Sequence, residues 1–313
     1  MMKKTILIFL ALVLSLPGCA AGETEGVRLT VVCTTYPIYL FACSIAEGVE
    51  DVAVERLDTG SVSCLHDYAL SMADMKKIEK ADVIALNGAG LEEFLEDALA
   101  ASDARVIDCS EGVELLESLS HDHEEDGHNG HDHGRWDPHY WMDPNRAAVM
   151  ARNLEAGLSA ADPDHRAGYQ AGGAKVLEML DRCRRDMDGF EGLASQLPGL
   201  ITFHDGFQYF AESCGLPLLA SIEEEAGSEA SAHEIVEIAA LVKKYNIPVI
   251  FTEADGSEAT ARAIARETGC RVARLTMLMD GSGNDLERYY TGMTGNISTI
   301  VRALAVGEGE VFP

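Results

Sequence analysis

Six of the ten histidines in this 313-residue chain fall between His121 and Pro144, in the run HDHEEDGHNGHDHGRWDPHYWMDP. Imidazole is the commonest protein ligand for zinc, copper and nickel, and a short tract this dense is a metal-binding signal on composition alone. The bland alternative is a solvated polar loop that binds nothing. Two more histidines stand where a ligand could sit: His66, in a loop after one apolar run, and His204, directly after another. With His139, just ahead of a helix opened by Asp143-Pro144, they supply imidazoles from three separate segments. Each alone is more often structural than ligating; together they fit a nitrogen-rich, roughly tetrahedral site.

The elements that must carry these residues follow from the hydrophobic pattern. In the first half, Val27–Cys33, Val52–Leu57, Asp82–Leu86 and Arg105–Cys109 read as strands. They alternate with helices over Pro37–Glu47, Met72–Lys80 (capped by Ser71) and Leu91–Ala101. The second half repeats the rhythm. Leu200–Phe203, Leu216–Ile222, Pro248–Thr252 and Arg271–Met277 are strand-like; Gly206–Cys214, Ser231–Tyr245, Ser257–Thr268 and Leu286–Leu304 are helical. Such alternation argues for parallel β-α units and an α/β class with mostly parallel sheets. Ligands of open α/β sheets bind beyond the carboxyl ends of the strands, which is where His66 and His204 fall. Between the halves, Asp162-Pro163 reads as an N-cap with proline at the first helical position. It starts a helix to about Ser195 that would run ~45 Å, a stiff strut despite five glycines. No glycine-rich nucleotide fingerprint follows any strand.

The ends and composition add a setting. Met1–Lys4 is basic, Thr5–Leu16 is apolar, and Leu16-Pro17-Gly18-Cys19 follows. Twelve apolar residues are too few to span a bilayer but suit a secretion signal. The tetrapeptide resembles the lipobox of bacterial lipoproteins, which makes Cys19 the expected lipidation site and 20–27 a tether. The formal charge is −28, which excludes nucleic acid as a partner and favours cations. Apart from Cys19, the seven cysteines Cys33, Cys43, Cys64, Cys109, Cys183, Cys214 and Cys270 contain no C-x-x-C. They read as small core residues and not as a disulfide framework.

The site segments carry a family resemblance. Asp137-Pro138-His139-Tyr140-Trp141-Met142-Asp143-Pro144 is similar to the D-P-H-x-W-x-D-P motif of metal-binding ABC-transporter lipoproteins, the cluster A-I zinc and manganese family. Cys64-Leu65-His66-Asp67-Tyr68 resembles its H-x-Y loop, and Phe203-His204-Asp205-Gly206-Phe207-Gln208-Tyr209-Phe210 its F-H-D-x-Y-x-Y-F segment. Asn87-Gly88-Ala89-Gly90-Leu91-Glu92 resembles its N-G-x-x-L-E turn. The resemblance covers residues 27–305. It implies two β/α lobes joined by one long rigid helix, with metal in the cleft between them. It also implies His66, His139 and His204 as ligands, and the zinc branch, because the manganese branch tends to place Glu at the third position.

Two departures bear on the metal. The family's Glu-Pro after the loop tyrosine is Ala69-Leu70 here, and its L-D-P-L is Leu275-Thr276-Met277-Leu278. The usual fourth carboxylate is therefore missing, leaving Asp280, Glu253, Cys64 or water as candidates. The organisation expected is a signal over 1–18, a tether over 19–27, an N-terminal lobe over 28–161, a linking helix over 162–195 and a C-terminal lobe over 196–313. A His-rich loop over 120–134 holds His121, His123, His128, His131 and His133, accessory groups that collect zinc weakly. The function expected is non-enzymatic: a monomer, lipid-anchored outside the cytoplasm, captures Zn²⁺ and hands it to an ABC permease. The rivals are manganese or iron uptake on the same fold, a zinc hydrolase (which lacks H-E-x-x-H) and an adhesin with a structural metal.

Overall fold

The computed structural model describes residues 26–59, 68–119, 135–194, 197–221, 232–253, 258–279 and 281–305. Two four-stranded parallel sheets form, each flanked by helices. The first contains β1 (Leu29–Cys33), β2 (Val52–Arg56), β3 (Val83–Leu86) and β4 (Arg105–Asp108), in the order β2-β1-β3-β4. The second contains β5 (Leu200–Thr202), β6 (Leu218–Ser221), β7 (Val249–Glu253) and β8 (Arg271–Leu275), in the order β6-β5-β7-β8. The two orders are the same. In each sheet the order of strand addition therefore reverses at one place, between β1 and β3 or between β5 and β7, and leaves a crevice there at the carboxyl ends.

Period-two alternation sorts the strand residues to two faces. Val31 and Cys33 join the large core that runs between the lobes, whereas Val32 joins Ile78, Ile84 and Leu95 under α2 (Met72–Lys80) and α3 (Glu96–Ala100). Likewise Val249 and Phe251 face the large core, while Ile201 and Ile250 pack under α7 (Ala232–Tyr245) and α8 (Ala259–Thr268). The six described cysteines are free thiols, and all but the half-buried Cys43 are buried. Burial pushes the Cys183 and Cys214 thiols up to about 12, as befits apolar core residues.

The strut forms as a 29-residue helix, α5 (Arg166–Ala194), about 44 Å long. Its beginning differs from the expectation. Asp162 and Pro163 open a 3₁₀ turn over Pro163–His165 ahead of the α-helix, and the Asp162 side chain makes no capping bond but pairs with Arg28, His165 (2.8 Å) and Tyr169 (3.0 Å). Burial acts to raise the Asp162 carboxyl, but these three partners outweigh it and hold it below the ordinary range. Two of the glycines that weaken the helix on paper are there for contact with α1 (Tyr36–Ile45) and α4 (Pro144–Ala161). A Cβ on Gly172 would stand 2.4 Å from the Ile45 carbonyl oxygen and 2.6 Å from its Cα; one on Gly173 would lie 2.9 Å from the Glu155 side chain. Gly172→Ala gains about 1 kcal/mol of helix propensity. It also forces backbone apart, which costs about 1–3 kcal/mol or more. A lower thermal midpoint is the expected result, and an unchanged or higher one would show that α1 and α5 do not pack in this register.

The helix expected over Leu91–Ala101 is largely replaced by turns. Gly88, Ala89 and Gly90 all have positive φ, a 3₁₀ turn covers Glu93–Leu95, and α3 is five residues long. Glu92 is the reason. Its carboxylate folds back to accept from the backbone N–H of Asn87 (2.6 Å) and Gly88 (2.9 Å) and from Thr34 Oγ1 (2.5 Å). Those bonds close the crevice of the first sheet, since Thr34 follows β1 and Asn87 follows β3. Burial pushes the Glu92 carboxyl up to about 7 against the pull of the same bonds.

Candidate metal centre

The turn Asp137-Pro138-His139 rests on this crevice. Asn87 Nδ2 donates to the Pro138 carbonyl (3.0 Å) and Tyr140 Oη donates to the Asn87 carbonyl (2.6 Å). The second lobe holds the same turn from the other side. Tyr209 Oη donates to the Asp137 carbonyl (2.7 Å), Trp141 Nε1 to the Met277 carbonyl (2.8 Å) and Tyr289 Oη to the Trp141 carbonyl (2.6 Å). Asp143 then caps α4, accepting from Asn145 N (2.8 Å), and pairs with Arg146 (2.8 Å). The backbone that carries His139 is thus fixed by side chains from both lobes.

Asp137 fixes the ring as well. Its Oδ1 accepts from the His139 backbone N–H (2.9 Å) and lies 2.8 Å from Nδ1. A carboxylate at Nδ1 keeps the proton there and leaves Nε2 with its lone pair, the arrangement usual for metal-binding histidine. Burial alone would lower the His139 pKa. The Asp137 hydrogen bond and the charges of Asp137, Asp205 and Glu253 more than offset it, so the pKa is raised.

His204 comes from the crevice of the second sheet. It lies two residues beyond the end of β5 and is 3% exposed, and Thr202 Oγ1 donates to its carbonyl (3.2 Å). Its Nδ1 lies 3.4 Å from Oε1 of Glu253, the last residue of the neighbouring strand β7. Nε2 points the other way, 3.4 Å from Nε2 of His139, with the two rings perpendicular. Two nitrogens each 2.0–2.1 Å from a tetrahedral ion stand about 3.3–3.4 Å apart, so the spacing suits a shared ion. Gly206 permits this approach: a Cβ there would lie 2.2 Å from Met277 Sδ, 2.9 Å from His204 Cδ2 and 3.2 Å from His139 Cδ2.

Among the described residues, then, the fold brings together two of the three expected histidines. His66, Cys64, Asp280, the accessory His121, His123, His128, His131 and His133, and Cys19 lie outside the described residues. Glu253 meets His204 at Nδ1, the side away from His139. His165 and His233 are elsewhere, paired with Asp162 and near Glu237. Asp137, Gly206 and Met277 stand in the expected motifs or their departures but carried no expected role. Only Asp137 had a usable signal, a carboxylate two residues before a candidate ligand.

A family model, zinc-uptake complex component A periplasmic (ZnuA), matches residues 31–303. The chain belongs to this family. Zinc-binding protein AdcA of Streptococcus pyogenes serotype M3 is 27% identical over 333 residues, covering 100% of this chain and 64% of AdcA. The chain therefore spans a little under two thirds of that relative. The manganese ABC transporter substrate-binding lipoprotein PsaA of Streptococcus mitis is 24% identical, with 97% of this chain and 100% of PsaA covered. Among solved structures, the solute-binding protein FpvC of Pseudomonas aeruginosa with Ni²⁺ superposes with a TM-score of 0.74 at 24% identity, covering 91% of this chain and 100% of FpvC. A mutant of the laminin-binding adhesin Lmb of Streptococcus agalactiae gives 0.72 at 25% identity, covering 88% and 99%. The ZnuA-family fold, two parallel-sheet lobes with a long helix, is the one described above. No helix among the described residues is long and apolar enough to cross a membrane.

Proposed function

We propose that this ZnuA-family chain is an extracytoplasmic binding protein that captures Zn²⁺ between its lobes and delivers it to an ABC permease, without catalysing a reaction. The observation that carries the reading is the facing pair of buried imidazole nitrogens, His139 Nε2 and His204 Nε2, 3.4 Å apart. Each ring has a carboxylate oxygen near its other nitrogen. His66 would add the third nitrogen, and Asp280, Cys64 or water the fourth position. Glu253 would then orient His204 instead of binding metal directly. The loop 120–134 would gather zinc weakly, and a lipid on Cys19 would hold the monomer at the membrane.

Titrating the demetallated chain with zinc is expected to show one tight equivalent that survives deletion of 120–134. Loss of that equivalent on deletion would move the site into the loop. The PsaA resemblance makes manganese the competitor to test. At equal free concentrations a three-imidazole site takes zinc by the Irving–Williams order, and manganese winning would overturn the zinc assignment.

The Asp137 contact gives a pH prediction. Metal binds deprotonated Nε2, so protons compete with zinc, and the raised His139 pKa starts that competition above the ordinary histidine range as pH falls. In Asp137→Ala, burial would dominate and the competition would begin at lower pH. The ring would also lose its orienting partner, a change that costs about 10–100-fold in metal affinity. Zinc dissociation constants measured between pH 5.5 and 8 for both proteins check the sign: a fall that begins at the same pH in both would refute it.

A further inference from the structure

One residue after Thr276, which stands where the resemblance would put the aspartate, this chain carries a methionine whose sulfur packs beside the histidine pair. One point, the position a Gly206 Cβ would take, lies 2.2 Å from Met277 Sδ and about 3 Å from the Cδ2 atoms of both rings, at 2.9 Å and 3.2 Å. The thioether therefore lies within about 5 Å of the Cδ2 edge of each ring, across the space that Gly206 leaves open. Its backbone is held there. Thr276 N donates to Asn296 Oδ1 (2.9 Å), Asn296 Nδ2 donates to the Thr276 carbonyl (2.8 Å), and Leu278 N donates to Thr276 Oγ1 (3.0 Å). The Met277 carbonyl accepts from Trp141 Nε1, and the residue is 4% exposed. Leu278, at φ +61, turns the chain away immediately afterwards.

We propose that Met277 is a specificity-determining residue of this cleft, its thioether serving as a soft donor beside His139 and His204 that favours Cu(I) and Zn²⁺ over Mn²⁺. The inference rests on the reading of the cleft as a metal site. A thioether is polarisable and uncharged; it suits soft ions, whereas manganese prefers carboxylate and carbonyl oxygen. Two imidazoles and a thioether are all softer donors than a carboxylate. Replacing the sulfur with a carboxylate should therefore move the preference toward manganese, and removing it without adding charge should weaken Cu(I) most.

The test uses the full chain and two variants, with binding measured by chelator competition and the ligand shell by X-ray absorption on the Cu(I) form. Leu is close to Met in volume, so M277L is expected to stay folded; a thermal melt verifies it. The parent should show a sulfur scatterer at copper that M277L lacks, and M277L should lose about tenfold or more in Cu(I) affinity with a smaller loss for zinc. M277D should narrow the zinc-over-manganese ratio by about tenfold or more. A parent without a sulfur scatterer, or an M277L that binds Cu(I) within about twofold of the parent, would overturn the proposal while leaving the zinc site standing. A folded parent that takes up no equivalent of zinc would instead overturn the cleft as a metal site, and this inference with it.

Discussion

Replacing His139 by alanine is expected to weaken zinc binding by about a hundred- to a thousandfold while the chain stays folded. Zinc held by four protein groups has an apparent binding free energy of about 10–16 kcal/mol. One ligand therefore accounts for roughly 2.5–4 kcal/mol, and each 1.4 kcal/mol is a factor of ten. The loss concentrates at the metal because the turn has its own supports. The Asn87, Tyr209 and Trp141 bonds all reach backbone groups or neighbours that the substitution leaves in place. His204→Ala should behave alike, as its Nε2 faces the same point. His233→Ala is the control: this ring is exposed on α7 and should have no effect on the tight equivalent. Chelator competition decides, and a His139→Ala protein that binds zinc as tightly as its parent would refute the site.

Trp141→Ala is expected to cost about 3–5 kcal/mol of unfolding free energy, the range for a buried aromatic truncated to alanine. The indole is fully buried and among the largest such side chains in the protein. It also spans the two lobes: Nε1 donates to Met277 beyond β8, and the Trp141 carbonyl accepts from Tyr289 on α9 (Glu287–Ala305). Its ring centroid is 5.2 Å from that of His139, so the cavity would open beside a proposed ligand and lower zinc affinity as well. Trp141→Phe separates the contributions. It keeps most of the apolar contact but leaves the Met277 carbonyl without its donor, for about 1–3 kcal/mol. Denaturant unfolding of the metal-free protein measures both. An alanine variant within about 1 kcal/mol of the parent would show that the tryptophan does not join the lobes.

The site was legible unevenly. His139 and His204 could be singled out from sequence because each follows or precedes an element whose boundaries show in the residues. An apolar run ends at Phe203, and Asp143-Pro144 has the chemistry of a helix start. Asp162-Pro163 has the same chemistry and does open the 3₁₀ turn that leads into α5, yet the Asp162 side chain makes no capping bond, because Arg28, 134 residues earlier, and Tyr169 take its carboxylate. The Leu91–Ala101 segment misled in the same way: its helical pattern gives way once Glu92 can reach two backbone N–H groups and a threonine across the sheet. Local propensity is worth tenths of a kcal/mol per residue, and a buried carboxylate with three donors outweighs it.

The α/β alternation, the extent of the strut to within a few residues, and the choice of His139 and His204 as candidate ligands could be read from the chain alone. Those features depend on residues near one another in the chain, through hydrophobic period, caps and short motifs. Packing of the lobes sets the rest: the two Nε2 atoms face each other at 3.4 Å, Asp137 and Glu253 stand at their opposite nitrogens, and Met277 Sδ lies against Gly206 beside the pair. His139 and His204 are 65 positions apart and belong to different sheets. Their distance depends on the docking of two lobes through Trp141, Tyr209 and Tyr289, a packing arrangement that no local pattern encodes.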